Sequence, residues 1–496
     1  MKRAHSFEII LVFAMTLVAY GYFFDPIADV NVNSRLSLVK AIVEERRFEI
    51  DSFRRSDELF TFDVAKFQDH FYSDKAIGSS LIGVAFYFPI HVMARGLHID
   101  ISTQVFKDLT TFLAISLICA LLGPFLYSFL KKITGSPRYA LAIAIAICLG
   151  TPFYKYSTVY YGHALVGLFL FTSFLLWFNI KDEGQINPRK VLISGYLLGY
   201  AIITEYPTAI IVLLLGLYIL YILWTKKHLF DIKIYGLLMM GALPPLMIAL
   251  AYNNAVFHDP FKTGYSYEVV HQFVQGQSNG IMGIGMPNVN VLFSMTLHPT
   301  MGIFWQSPFL LFAFVGWFHM WKNKQYRAEA ILSFSIILIY ALIMSGYYTW
   351  WGGISTTPRS LVPLFPFFCI PLAFIVKKWK KWTFVILALI SIAQMLILTG
   401  GQGQIIAIIK MMPKTSISTM FTQPSILYNG YLPEFLKGNL GENRAHQFLN
   451  LQGFPSLIPL AVIEAALLAL FLKITSTPNP PSAQPISEGM PNANDN

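Results

Sequence analysis

Two carboxylates, Asp25 and Asp29, stand just past the first apolar run of the chain, in Asp25-Pro26-Ile27-Ala28-Asp29-Val30-Asn31. Acids at a membrane surface can take a proton from an incoming hydroxyl, or organise a metal or a phosphate. The plainer reading is structural: Pro26 favours extended or turn backbone at Asp25, and Asp29 is a good N-cap for a helix over 30–45. Further on, Asp69-His70-Phe71-Tyr72-Ser73-Asp74-Lys75 puts two acids, an imidazole and an amine within seven residues, just ahead of Ile77-Gly78-Ser79-Ser80. Lys75 can hold an anionic headgroup there as a point charge, or snorkel from a helix end to water. Glu205, in Thr204-Glu205-Tyr206-Pro207, is either a costly ionisable group with a task or part of a turn emerging into water. His163 follows Tyr154, Tyr156, Tyr160 and Tyr161, which form a sugar or isoprenoid platform or an interfacial aromatic belt. Arg359 is the only cation of 347–359 and can clamp a phosphate or anchor at headgroups.

The elements that must position these residues are membrane helices. The 496 residues are 55% hydrophobic and 12% charged, with a mean hydropathy of +0.55. Soluble domains carry about 25% charged residues. Apolar segments of the roughly 20 residues needed to cross a bilayer recur along the chain. They lie near 7–24, 109–130, 139–153, 163–180, 191–204, 206–224, 234–252, 303–321, 329–346, 360–376, 383–399 and 456–473. The expected fold is therefore an all-α polytopic membrane bundle of about twelve transmembrane helices over 1–474. The net charge of +10 does not point to nucleic acid, because the cations are dealt out in short loops. Lys131, Lys132 and Arg138 share one loop; Lys181, Arg189 and Lys190 another; Lys226, Lys227 and Lys233 follow; then Lys322, Lys324 and Arg327; last Lys377, Lys378, Lys380 and Lys381. By the positive-inside rule these loops are cytoplasmic, as are both termini. The expected location is the cell (inner) membrane.

The long loops 25–108, 254–302, 347–359 and 400–455 then share the outer side, where function is expected on a rigid scaffold. Within the first, Leu36, Val39, Ile42 and Val43 predict an amphipathic helix lying on the bilayer, and Phe48-Glu49-Ile50-Asp51-Ser52-Phe53 an extended piece. Segment 77–95 is apolar enough to span, but one extra span would invert every later loop. It is re-entrant or interfacial, or has a partner span in 96–118. Cys119, Cys148 and Cys369 read as small buried hydrophobes. The Pro-rich tail 475–496 is expected to be disordered.

Asp25, Asp29 and Asn33-Ser34-Arg35, followed by Ile50-Asp51 and His70-Phe71-Tyr72-Ser73-Asp74-Lys75-Ala76-Ile77-Gly78, resemble the first outer loop of GT-C-type membrane glycosyltransferases. That superfamily includes protein O-mannosyltransferase-like enzymes and lipid A aminoarabinose transferases. Two later tracts are similar to tracts of the same proteins: Tyr252-Asn253-Asn254 through Gly264-Tyr265, and Trp350-Trp351-Gly352-Gly353 with Pro358-Arg359. The resemblance covers roughly 20–370. It implies Asp29, with Asp25 second, in the catalytic acidic position and Lys75 at the donor phosphate. Asp74, His70, Arg35, His163, Glu205, Arg359 and Tyr265 are then the substrate-binding candidates. Val30 follows Asp29 where many relatives carry a second adjacent acid, which leaves open whether a divalent cation takes part. Ile77 stands where many have proline.

The implied activity is transfer of a sugar from a polyprenyl-phosphate donor to a hydroxyl of a glycan, lipid or protein acceptor at the outer face. The alternative is a transporter or flippase of lipid-linked saccharide, which would place ionisable residues near the midplane and often show internal repeats. No repeat is visible here and the spans are nearly free of charge, which favours the enzyme.

Overall fold

The computed structural model describes residues 2–24, 29–353, 355–375, 381–401 and 422–476. Asp25, Lys377, Lys378, Lys380 and nearly all of the tail lie outside the described residues.

The protein is a bundle of apolar helices, consistent with a multi-pass membrane protein. Among the described residues, eight helices are long and apolar enough to cross a bilayer, against the twelve expected. The difference has local causes. Residues 137–150 and 359–372 form apolar helices shorter than a full span, the second beginning as a 3-10 helix that holds Pro363 and Pro366. Residues 303–322 are broken at Ser307-Pro308 into two helical pieces and a 3-10 turn, because proline cannot donate the backbone bond a continuous helix needs.

In chain order, α1 is Lys2–Tyr22, α2 Val30–Lys40 and α3 Gly78–Gly96; α4 is Leu122–Thr134, α5 His163–Glu183, α6 Pro188–Thr204, α7 Ile232–Phe257, α8 Arg327–Met344 and α9 Ile458–Ser476. Between α2 and α3 lies a hairpin of β1 (Val64–Phe67) and β2 (His70–Ser73), antiparallel with Val64 opposite Ser73 and Phe67 opposite His70. This small sheet is a departure from all-α. The extended run expected at 48–53 ends instead in turns from Asp51 onward, with Ile50 N–H donating to Phe71 O at 2.8 Å.

The helix at 30–45 also differs from expectation. It does not present an open polar face: every residue of α2 from Asn31 to Val39 is buried. A polar as well as an apolar face is covered, because Asn31, Ser34 and Arg35 find partners inside the bundle. Segment 77–95 forms α3, which is one-sided. Ser79, Ser80, Gly83 and Tyr87 face inward, while Phe88 and Met93 are exposed, as fits an element at the edge of the bundle.

The helix ends sort into two sets. At one end Lys131 contacts Glu8, Lys132 pairs with Asp182 at 2.7 Å, and Lys181 pairs with Glu329 at 2.7 Å. The end of α4, the end of α5 and the starts of α1 and α8 thus meet there. At the other end lie the start of α5 at His163, the end of α6 at Thr204 and the starts of α2 and α3.

Candidate functional site

Every polar contact that follows sits on this second set of ends. Asp29 caps α2, its Oδ1 accepting the Asn31 N–H at 2.8 Å. That satisfies one of the amides a helix start leaves without an intrahelical partner. Oδ2 accepts a hydrogen bond from the Tyr161 hydroxyl and lies 3.8 Å from Arg359 Nη1. Arg359 donates to the same hydroxyl at 2.8 Å, and its guanidinium lies 4.7 Å over the Tyr161 ring. The tract before Arg359 makes room for it. Gly352 has φ +84°, and a Cβ there would come within 2.9 Å of Arg359 Cγ. Trp350 of the same tract is buried against Trp351 rather than set in an aromatic belt.

Behind this trio stands a second ion pair. The His163 ring stacks on Tyr161 with centroids 5.9 Å apart, and its Nδ1 is 3.7 Å from Glu205 Oε1. Arg35 Nη2 is 3.0 Å from the same oxygen. Its other donors go to Ser79 Oγ at 2.8 Å and Asn31 Oδ1 at 3.2 Å. Arg35 is fully enclosed, so it ties α2, α3 and the end of α6 together while Asp29 and Arg359 stay partly open.

Lys75 heads a third cluster. Its Nζ is 2.8 Å from Asp63 Oδ2, contacts Asp74, and lies 5.8 Å from the Tyr265 ring centroid. Asp74 also accepts from Ser34 Oγ at 3.2 Å. Glu268 completes the group: the carboxylates of Asp63, Asp74 and Glu268 lie within 4.8 Å of one another. Gly264 lets this arm close in, since a Cβ on it would come within 2.5 Å of the Asp74 Cα.

Crowded acids without water resist ionising together. Burial, then the Asp74 charge, pushes the Asp63 carboxyl up to about 6. The same causes push Glu268 up to about 10. The Lys75 ammonium is held charged, well above its usual range, because the fields of Asp63 and Asp74 outweigh its burial. Three acids against one amine, with Glu268 Oε2 buried and unpartnered, are a donor set of hard oxygens that fits a divalent cation. Asp63, Asp74 and Glu268 would hold it, and it would supply positive charge at this end of the bundle.

The predicted residues therefore sort cleanly. Asp29, Arg35, Asp74, Lys75, His163, Glu205, Arg359 and Tyr265 come together. His70 does not: it is exposed at the tip of the hairpin, 3.5 Å from Asp51. Its place at the turn end of the hairpin, opposite Phe67, explains it: burial along β2 deepens away from the turn and is complete only at Tyr72 and Ser73. Asp25 is outside the described residues. Sequence reasoning missed Asp63 and Glu268. Asp63 had a signal in Phe60-Thr61-Phe62-Asp63, whose alternation exposes both phenylalanines and buries Thr61 and Asp63; Glu268 had none. No protein-family model matches the chain, and no curated protein matches it.

Proposed function

We propose that this protein is a membrane glycosyltransferase of GT-C type that moves a sugar from a polyprenyl-phosphate donor to an acceptor hydroxyl. One observation carries the reading: Asp29 Oδ2, with its side chain 21% exposed, stands beside a single cation, Arg359, on the end of the bundle opposite the basic loops. The positive-inside rule makes that the extracytoplasmic end. A base and a cation in reach of the same opening are what transfer from a lipid phosphate needs.

In this reading the acceptor hydroxyl gives its proton to Asp29 Oδ2 as its oxygen bonds to the anomeric carbon. The bond from that carbon to the phosphate oxygen breaks, and the polyprenyl phosphate leaves with its new charge facing Arg359. Tyr161 fixes the carboxylate and the guanidinium relative to each other. Arg35, Glu205 and His163 hold the floor. Lys75 is buried under Asp63 and Asp74, so it serves as the cationic core of the acidic cluster and not as an open phosphate clamp. A divalent cation on that cluster would add charge next to the leaving group.

The test is transfer from a radiolabelled polyprenyl-phosphate sugar by purified protein in detergent, wild type against Asp29→Asn. Equal transfer by both removes the proposed base.

The transport alternative has one observation of its own. Glu464 lies within the long apolar helix 454–476 with a buried, unpartnered Oε1, and intramembrane carboxyls often line an ion or substrate path. Movement of a lipid-linked saccharide across vesicles that Glu464→Gln abolishes, with no product formed by the wild type, would favour it.

A further inference from the structure

The far side of α1 carries a feature independent of the carboxylates. Leu17, Val18 and Gly21 face Phe112, Pro459 and Ile463 across a groove of about 510 Å³. That size lies within the roughly 300–1,000 Å³ of small-molecule sites. Both α1 and α9 belong to helices long and apolar enough to cross a membrane, so the groove faces hydrocarbon. Its top is closed by the loop before α9. Phe24 N–H donates to Glu442 O at 3.2 Å, and Asn443 Nδ2 donates to Ser456 Oγ at 3.0 Å, which pins that loop to the end of α1.

Arg444 lines the same groove. Its Nε donates to Gly21 O at 3.2 Å and its Nη1 to Gln447 Oε1 at 2.7 Å. The guanidinium lies 4.6 Å over the Phe24 ring. Among the described residues no carboxylate comes within 4 Å of it. Asp108, whose field reaches it, is bonded to Gln104 at 3.0 Å. Phe448 and Leu449, also on the groove, are strongly exposed. A half-buried cation with no carboxylate within 4 Å among the described residues, at the top of an apolar slot, complements a molecule with one negative head and an aliphatic tail.

We infer that this groove seats one anionic phospholipid, with an acyl chain along α1 and α9 and its phosphate on Arg444. The site is separate from the one proposed for sugar transfer: Asp29, Arg359 and Lys75 are not among the residues that line it. The bilayer's own lipid is the occupant, so binding should be selective for charge and indifferent to the glycosyl donor.

Native mass spectrometry of the full chain, released from nanodiscs of mixed phosphatidylglycerol and phosphatidylcholine, tests this. The wild type should retain one phosphatidylglycerol in preference to phosphatidylcholine. Arg444→Gln should lower that retention roughly tenfold, as loss of a charge-assisted bond implies, and Arg444→Lys should restore part of it. Val18→Trp, which fills the slot and leaves the cation, should lose the bound lipid altogether, with the melting temperature no longer raised by added phosphatidylglycerol. Equal retention by wild type and Arg444→Gln overturns the inference, as does equal retention of the two phospholipids. So does displacement of phosphatidylglycerol by equimolar polyprenyl phosphate, which would make the groove a donor site.

Discussion

Asp29 and Lys75 belong to one polar network, yet their surroundings are opposites. Asp29 is a single acid faced by one guanidinium and one phenol, with 21% of its side chain open. Lys75 is a single amine wedged against two acids and facing a third, with 7% open. An ionised group that keeps a water-facing edge can exchange a proton with a visitor. One that is enclosed by counter-charges can only hold its neighbours in place. Two residues that look equally chemical in a sequence thus differ in structure: one keeps an open edge, and the other is enclosed as a strut.

The largest effect expected from that contrast is at Asp29. Asp29→Asn keeps the shape and can still cap α2, but cannot accept a proton. Sugar transfer should fall by roughly 100- to 10,000-fold while the melting temperature in detergent stays near that of the wild type. A large melting shift with modest loss of turnover would reverse the assignment and make Asp29 the strut.

Lys75→Ala should do the opposite. It leaves Asp63 and Asp74 buried without their cation, and breaking a buried pair from one side costs about 3–5 kcal/mol. The loss should appear in thermal unfolding, and Lys75→Met should behave similarly despite its better fit. Full stability of both variants would mean that another cation, such as a bound metal, holds the cluster. Isothermal titration with Mg²⁺ or Mn²⁺ would then find it.

Between these lies Arg359. Arg359→Lys retains charge but not the planar guanidinium that lies over the Tyr161 ring while its Nη1 reaches the Tyr161 hydroxyl. Turnover should fall by roughly tenfold, the equivalent of about 1.4 kcal/mol. Arg359→Ala should lose more, chiefly in donor KM. Steady-state kinetics with varied donor separates the two.

A further effect is a pH slope. In the folded protein Glu268 keeps its proton up to about 10, whereas in the unfolded chain it releases it near the ordinary value of about 4.3. Its folded pKa is raised, so between those limits the native state binds more protons and stability declines as pH rises. Asp63 adds to the same decline up to about 6. Melting curves across pH 5 to 9 should therefore fall with pH in the wild type and flatten in Glu268→Gln. A metal on the cluster must displace these protons, so its affinity should climb over the same interval.

Much of this was legible in the order of residues. Asp29 as cap, the gathering of Glu205, His163 and Arg359 on one side, and the basic loops on the other follow from hydropathy and the placement of charge. What stayed hidden depends on contacts between distant segments. The spacing of Leu36, Val39, Ile42 and Val43 suggested a surface helix because its polar face had no visible partners; Glu205 and Ser79 supply them only after folding. Lys75 looked like a free cation because Asp63 and Glu268 reach it from outside its motif. His70 shared that motif, and a hairpin turn carried it away. The span count ran high because hydropathy does not register where Pro308 or a 3-10 segment shortens a helix.

Gly264 gives a way to loosen the acidic cluster without touching an acid. Its missing side chain is what lets the segment that ends in Glu268 rest against the Asp74 backbone. A methyl group there works as a spacer: Gly264→Ala would prise Glu268 outward, turning a three-sided oxygen cage into a two-sided one while Lys75, Asp63 and Asp74 keep their bonds. The distance between two backbones thus sets how firmly a cation could be gripped, and one small residue sets that distance.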